Sequence, residues 1–305
     1  METQHDILVQ NKRKIQFKFT IRRKFTVIRG DSATGKTTLF QMVSDAASSR
    51  MSGVTVSCDA PVRALYEGGY RYELENESGN IYVVDEDFGP LKTKEFAAAV
   101  LKSDNCFILI TRESLPGIPY SYQEIYRVKT SGKYHSLEHI YPEYNEIVLR
   151  ERIVTEDEDA GLEYYRYFYG DGVLTSHGNS NLSKYGNEKT LLIGDGCAMG
   201  AFIQDIELTK AALYLPESFE WKLLGNGMFQ GNTEVQKLLR EPGKTVHTGY
   251  GSMEKYCTEL LVDMTRNTPA QYTKSKLNPC FVEQCCCKNT RCEFFTKEKR
   301  VENKE

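Results

Sequence analysis

Apolar residues along the chain come in short, nearly unbroken blocks at Phe25–Ile28, Val54–Ser57, Ile81–Val84, Phe107–Ile110 and Ile125–Val128. Blocks of this length, set apart by polar spacers long enough for a helix, predict parallel strands buried on both faces. The spacer from Leu91 to Leu101 groups Phe96, Ala97, Val100 and Leu101 on one side at helical spacing and fits a covering helix. The stretch from Lys12 to Lys24 differs, because Ile15, Phe17, Phe19 and Ile21 alternate there with Lys and Arg. It predicts a strand with one apolar and one basic face, which is either an edge strand defended by charge or a contact surface for nucleic acid.

A second alternation starts at Ile147. Strands are predicted at Ile147–Val154, Val173–Thr175, Thr190–Ile193 and Ala211–Leu215, with helices at Ala160–Tyr169, Leu182–Tyr185 and Ala201–Leu208 between them. The polar, aromatic segment from Thr130 to Glu146 reads as a linker. Its His135 and His139 are four apart but lack the helical pattern that would make them a zinc pair. Helices at Glu234–Arg240 and Met253–Thr265 follow Gly225. The resulting division is 1–129, a linker at 130–146, 147–225, and a helical region with a cysteine-rich tail at 226–305. Trp221 and the stripe Tyr164, Tyr165, Tyr167, Phe168 and Tyr169 read as core rather than as platforms for stacked bases.

At 305 residues the chain has room for two α/β domains, and a formal charge of −3 gives no global attraction to nucleic acid or anionic lipid. No apolar run approaches the ~18 residues needed to span a bilayer, and Met1–Asp6 is unlike a signal peptide, so a cytoplasmic protein with no membrane partner is expected. The nine cysteines are then expected as thiols. Five of them form the run Cys280-x4-Cys285-Cys286-Cys287-x4-Cys292. Zn²⁺ held by Cys280, Cys292 and two of the central three, for example Cys285 and Cys287, is one reading. The spacing matches neither zinc ribbons nor ferredoxins, and a tail of reactive thiols beside Lys288 and Arg291 is the other.

The most specific chemistry follows the first buried block. Gly30, Asp31, Ser32, Ala33, Thr34, Gly35, Lys36 and Thr37 spell G-x-x-x-x-G-K-[ST], with Thr38 next and an apolar helical pattern beyond. Two glycines let the loop turn its backbone N–H groups toward phosphates, Lys36 reaches the terminal phosphates, and the Thr37 hydroxyl ligates Mg²⁺. ATP with Mg²⁺ is the expected ligand. The block Ile81–Val84 ends in Asp85-Glu86-Asp87, which assigns Asp85 to the metal and Glu86 to activation of water. Thr111 and Arg112, after the next block, are a candidate γ-phosphate sensor and a weaker charge stabiliser, or a plain strand end.

These residues resemble the phosphate-loop ATPases of AAA and ABC-like type that carry an additional strand between the loop strand and the Asp-Glu strand. The opening ILVQNKRKIQFKFTIRRKFTVIRG also looks like the first strands of ATP-binding-cassette and RecF-like ATPases. No LSGGQ-type signature precedes Asp85, where only Glu77-Ser78-Gly79-Asn80 stands, so the resemblance does not extend to a dimer clamped on ATP; a homo-oligomer of another kind stays open.

From Ile147 to Gly225 the chain resembles the topoisomerase–primase (Toprim) fold. Glu156 follows the first strand, His177-Gly178-Asn179-Ser180-Asn181 stands as the turn, and Asp195 takes the first position of D-x-D. Cys197 occupies the second, and Asp205 is poorly placed to replace it. The resemblance implies metal ions on Glu156 and Asp195. An ATPase followed by such a domain resembles the overcoming-lysogenisation-defect nucleases, which implies an ATPase that couples nucleotide turnover to processing of DNA or RNA. The alternative is an ATP-driven switch whose second domain binds a partner without chemistry; a small-molecule kinase fits less well, because no lid or acceptor pocket is recognisable.

Overall fold

A computed structural model describes residues 3–30, 34–48, 52–242 and 248–283. The chain divides into two units, one made of 1–142 with 243–251 and the other of 143–242 with the residues from 252 onward. Among the described residues no helix is long and apolar enough to cross a membrane.

The first unit is built on a nine-stranded sheet. Its strands are β1 (His5–Asn11), β2 (Gln16–Ile21), β3 (Phe25–Ile28), β4 (Val54–Ser57), β5 (Val62–Ala64), β6 (Ile81–Val84), β7 (Cys106–Ile110), β8 (Ile125–Ser131) and β9 (Tyr134–His139), in the spatial order β4-β1-β2-β9-β8-β3-β7-β6-β5. Strands β8, β3, β7, β6 and β5 run parallel, and β3, β6 and β7 are buried at every residue. This is the two-sided burial that unbroken apolar blocks dictate. Helices α1 (Lys36–Ser48), α2 (Tyr70–Asn76) and α3 (Lys94–Lys102) belong to this unit. On α3 the Thr93 hydroxyl accepts the Phe96 N–H, while Phe96, Ala97 and Val100 are buried. The cap and the stripe together explain why this segment is helical.

Three readings change here. Val54–Ser57 is a strand, but it pairs antiparallel with β1 at the sheet edge instead of joining the parallel set. The basic strand β2 is no edge strand: it lies between β1 and β9, burying Phe17, Phe19 and Ile21. The supposed linker contains β9, which pairs antiparallel with β8 from Tyr126↔His139 to Ser131↔Tyr134 and parallel with β2. Gly132, at φ 63°, makes the turn between them. The alternation in β9 is weak, with no residue fully buried, so nothing local announces the strand. The first unit therefore extends to Pro142 instead of ending near Lys129.

The second unit has a four-stranded parallel sheet in the order β11-β10-β12-β13, with β10 at Arg152–Thr155, β11 at Leu174–Thr175, β12 at Thr190–Ile193 and β13 at Ala212–Tyr214. Its helices are α4 (Asp159–Tyr169), α5 (Ile203–Glu207), α6 (Phe219–Leu224), α7 (Thr233–Arg240), α8 (Met253–Thr265) and α9 (Cys280–Glu283). Tyr164, Tyr165 and Phe168 of α4 are buried and Tyr164 meets Phe219 edge-on at 5.4 Å, so these three are core, whereas Tyr167 is exposed and Tyr169 and Trp221 are half-buried. The first strand is shorter than its apolar run, because Ile147–Glu151 stays outside the sheet.

Candidate functional site

In the first unit the chain leaves β3 through Arg29 into the glycine-rich loop. Gly30 and Gly35 adopt φ of 140° and 97°, which an L side chain rarely tolerates, and this is the reason for glycine at both positions. Asp31, Ser32 and Ala33 lie outside the described residues. The Leu39 N–H bonds back to the Gly35 carbonyl and starts α1, so Lys36 opens the helix. Its buried ammonium donates to the Gly30 carbonyl at 2.5 Å and to the Thr34 hydroxyl at 3.3 Å. Thr37 and Thr38 are exposed on the first turn. The ring of His135, from β9, stacks on Phe17 at 4.3 Å, and both rings lie within ordinary contact of the position a Gly35 side chain would take.

The spatial order β3-β7-β6 places one strand between the loop strand and the strand that ends in Asp85. Register pairs Val84 with Leu109 and Leu109 with Val27, so Asp85 leaves its strand level with Ile28, the last residue of β3. Asp85 is buried and its Oδ1 has no hydrogen-bond partner. Burial raises its pKa, the Asp87 and Glu86 charges raise it further, and the Glu86 N–H and Lys36 lower it. Glu86 is more exposed and its Oε1 takes the Arg112 guanidinium at 2.8 Å. Thr111 is buried, and its hydroxyl donates to the Glu113 carbonyl at 3.1 Å and accepts the Glu113 N–H at 3.0 Å. Lys36 thus lies within electrostatic reach of Asp85, and Thr111 closes a local turn.

In the second unit carboxylates converge beyond the carboxyl ends of the parallel strands, where open α/β sheets bind ligands. Glu156 and Asp157 follow β10, and Asp195 follows β12 through Gly194. Their ligating oxygens lie within 4.8 Å of one another. Asp195 also belongs to a second trio of the same closeness with Glu220, in the first turn of α6, and Glu254, in the first turn of α8. Asp195 is buried, and its Oδ1 accepts the Phe219 N–H at 3.1 Å. Asp157 is held by the Thr155 hydroxyl at 2.7 Å. Two cations flank the group. Lys274 lies 2.7 Å from Glu254 and 3.4 Å from Glu220, and Lys222 is buried among the rings of Tyr164, Tyr165 and Tyr214.

So many carboxyl groups cannot all ionise cheaply at this separation. Burial, then Asp157 and the more distant Glu254 and Glu220, pushes Glu156 well above the ordinary carboxylate range. Asp195 is raised in the same sense by burial and then by Glu156 and Asp157. Asp157 is raised to about 6 by burial, against the pull of the Thr155 hydroxyl and Lys222. Lys274 is held above its ordinary value, burial being outweighed by Glu220 and Glu254 together.

Cys197 stands outside this set. Its N–H bonds to the Glu217 carbonyl and its thiol is buried, while Asp205 is exposed on α5. In the His177–Asn181 turn, Gly178 has φ 103°, and the buried Oδ1 of Asn179 has no partner. A side chain at Gly194 would come within 2.8 Å of that oxygen, so Gly194 lets Asn179 approach the residue before Asp195. Sequence reading missed Asp157, Glu220, Glu254 and Lys274 as site residues. Glu220 lies in the first turn of α6, beyond the loop that follows β13, so the strand-end rule that picks Glu156 and Asp195 does not reach it. Glu254 and Lys274 are brought in by the helical region and carry no local signal.

Of the tail cysteines, Cys280 opens α9, whereas Cys285, Cys286, Cys287 and Cys292 lie outside the described residues. Among the described residues, Cys58, Cys106, Cys197, Cys257 and Cys280 form no disulfide. No protein-family model matches the chain, and no curated protein matches it.

Proposed function

We propose that the protein binds and hydrolyses ATP in its first unit and processes nucleic acid with divalent cations in its second. The observation that carries the ATPase half is the buried, unpartnered Oδ1 of Asp85 on a strand aligned with the phosphate loop. A lone buried carboxylate oxygen is costly, and Mg²⁺ shared between Asp85 and Thr37 would satisfy it. Lys36 would exchange its loop carbonyl for phosphate oxygens, and Glu86 would take the proton of the attacking water.

In the second unit the donor set is all oxygen, which suits Mg²⁺ or Mn²⁺. Glu156, Asp157, Asp195, Glu220 and Glu254 would hold the ions, with Asp195 common to both trios. Ions held there would activate water and neutralise charge on a phosphodiester. Glu220 and Glu254 provide carboxylates at Asp195 where Cys197 cannot, and this favours a nuclease-like role over a purely partner-binding second unit. Nothing in the arrangement selects DNA over RNA.

The test is ATP turnover by wild type, Lys36→Ala and Glu86→Gln, with and without DNA or RNA. Turnover that depends on both residues and is stimulated by nucleic acid supports the proposal; turnover indifferent to both substitutions overturns it.

A further inference from the structure

The edge of the nine-stranded sheet brings together three different donor atoms, from either side of the phosphate loop in sequence. Strand β4 is the last strand of the sheet and pairs with β1 through Leu8↔Ser57 and Val9↔Val56. Cys58 and Asp59 continue directly from β4, and His5 begins β1 on the same buried face as Ile7 and Val9. The His5 Nδ1 lies 2.7 Å from Asp59 Oδ1, and the Cys58 thiol donates to that same oxygen at 3.3 Å. All three ligating atoms lie within 4.8 Å of one another. His5 is buried, while the Asp59 side chain is 68% exposed and faces solvent.

An ordinary ion pair between His5 and Asp59 would not need the thiol. Here one carboxylate oxygen is met by an imidazole nitrogen and a sulfur, two atoms that bind a metal once their protons leave. We propose that His5, Cys58 and Asp59 form a zinc site that clasps the edge strand β4 to β1. Nitrogen, sulfur and oxygen donors in one cluster select Zn²⁺ over Mg²⁺ or Ca²⁺. One thiolate and one carboxylate neutralise the ion's two charges, which suits a position beside the apolar core that Cys58 touches. Three protein ligands with an exposed Asp59 leave the fourth position to water. The clasp is independent of the nucleotide and carboxylate sites, and it protects an edge whose unpaired backbone groups otherwise face solvent.

The experiment uses the full chain with Cys280, Cys285, Cys286, Cys287 and Cys292 replaced by Ser, so that tail thiols cannot contribute, and titrates it with Co²⁺ as the spectroscopic probe. Four-coordinate Co²⁺ with a thiolate ligand gives a ligand-to-metal charge-transfer band and strong visible bands. Co²⁺ on the carboxylates of the second unit gives neither, because oxygen donors favour octahedral geometry. The expected result is a charge-transfer band saturating at about one equivalent, lost in Cys58→Ser. The exposed Asp59→Asn keeps the fold and should weaken Co²⁺ binding about tenfold or more. Absence of the band in the parent protein, its survival in Cys58→Ser, or unchanged affinity in Asp59→Asn overturns the proposal.

Discussion

The Asp195 carboxylate accepts the Phe219 backbone N–H at 3.1 Å, which ties the acid after β12 to the helix that carries Glu220. Two carboxyl groups are thereby held close by backbone geometry, and repulsion from its neighbours adds to the burial that makes Asp195 hold its proton. Asp195→Asn keeps an oxygen for the Phe219 amide and removes a buried ionisable group. It is expected to stabilise the metal-free protein by on the order of 1–3 kcal/mol, while reducing Mn²⁺ binding. Thermal unfolding in chelator, with Mn²⁺ calorimetry, checks both; a destabilised variant with undiminished Mn²⁺ affinity contradicts the assignment.

The same repulsion fixes a pH dependence. The unfolded chain releases these carboxyl protons near the ordinary values of about 4, whereas Glu156 and Asp195 keep theirs to higher pH and Asp157 titrates at about 6. Above pH about 4 the folded state therefore binds more protons than the unfolded one, and stability from this cluster falls as pH rises through the raised values. The melting temperature in chelator should drop between pH 5 and pH 8 more steeply in wild type than in Asp195→Asn. Mn²⁺ should raise it more at pH 8 than at pH 5. Equal slopes in the two proteins would remove Asp195 from the cause.

At the phosphate loop, Gly35→Ala meets no hard clash, since the nearest atoms are 3.6 Å from the added carbon, but φ is 97°. The backbone strain should cost about 1–3 kcal/mol and lower ATP affinity by moving Lys36. Equilibrium nucleotide binding checks this, and an unchanged affinity would mean that the loop does not grip phosphate through this turn.

Glu86→Gln preserves size and the approach of the Arg112 side chain while removing the carboxylate proposed as the base. Turnover should fall about 10²- to 10⁴-fold with ATP binding retained. Single-turnover kinetics beside binding measurements separate the two effects, and a variant that loses both equally would make Glu86 a binding residue.

Much of this was legible from local pattern. β3, β6 and β12 have the bounds that their apolar blocks predict, because full burial leaves a nearly unbroken run, and β4 has its predicted bounds although it alternates half-buried and exposed residues. Direction was not legible: Val54–Ser57 looks like its parallel neighbours, yet the short β5 takes its place beside β6. The strand β9 was missed since its alternation is shallow; its hairpin partner β8 is adjacent, but its other partner, β2, is far off in sequence. In the second unit, strand-end acids gave Glu156 and Asp195. The carboxylates of Glu220 and Glu254 depend on helices folded back onto the sheet, and long-range packing of this kind leaves no short motif.

The central claim is that the carboxylates around Asp195 act on nucleic acid. It is tested most directly by incubating supercoiled plasmid and single-stranded RNA with ATP and Mg²⁺ or Mn²⁺, comparing wild type with Asp195→Asn. Metal-dependent strand breaks are expected from wild type and not from Asp195→Asn, whose ATP turnover should persist. Strand breaks made equally by both proteins, or by neither while ATP is hydrolysed, would contradict it.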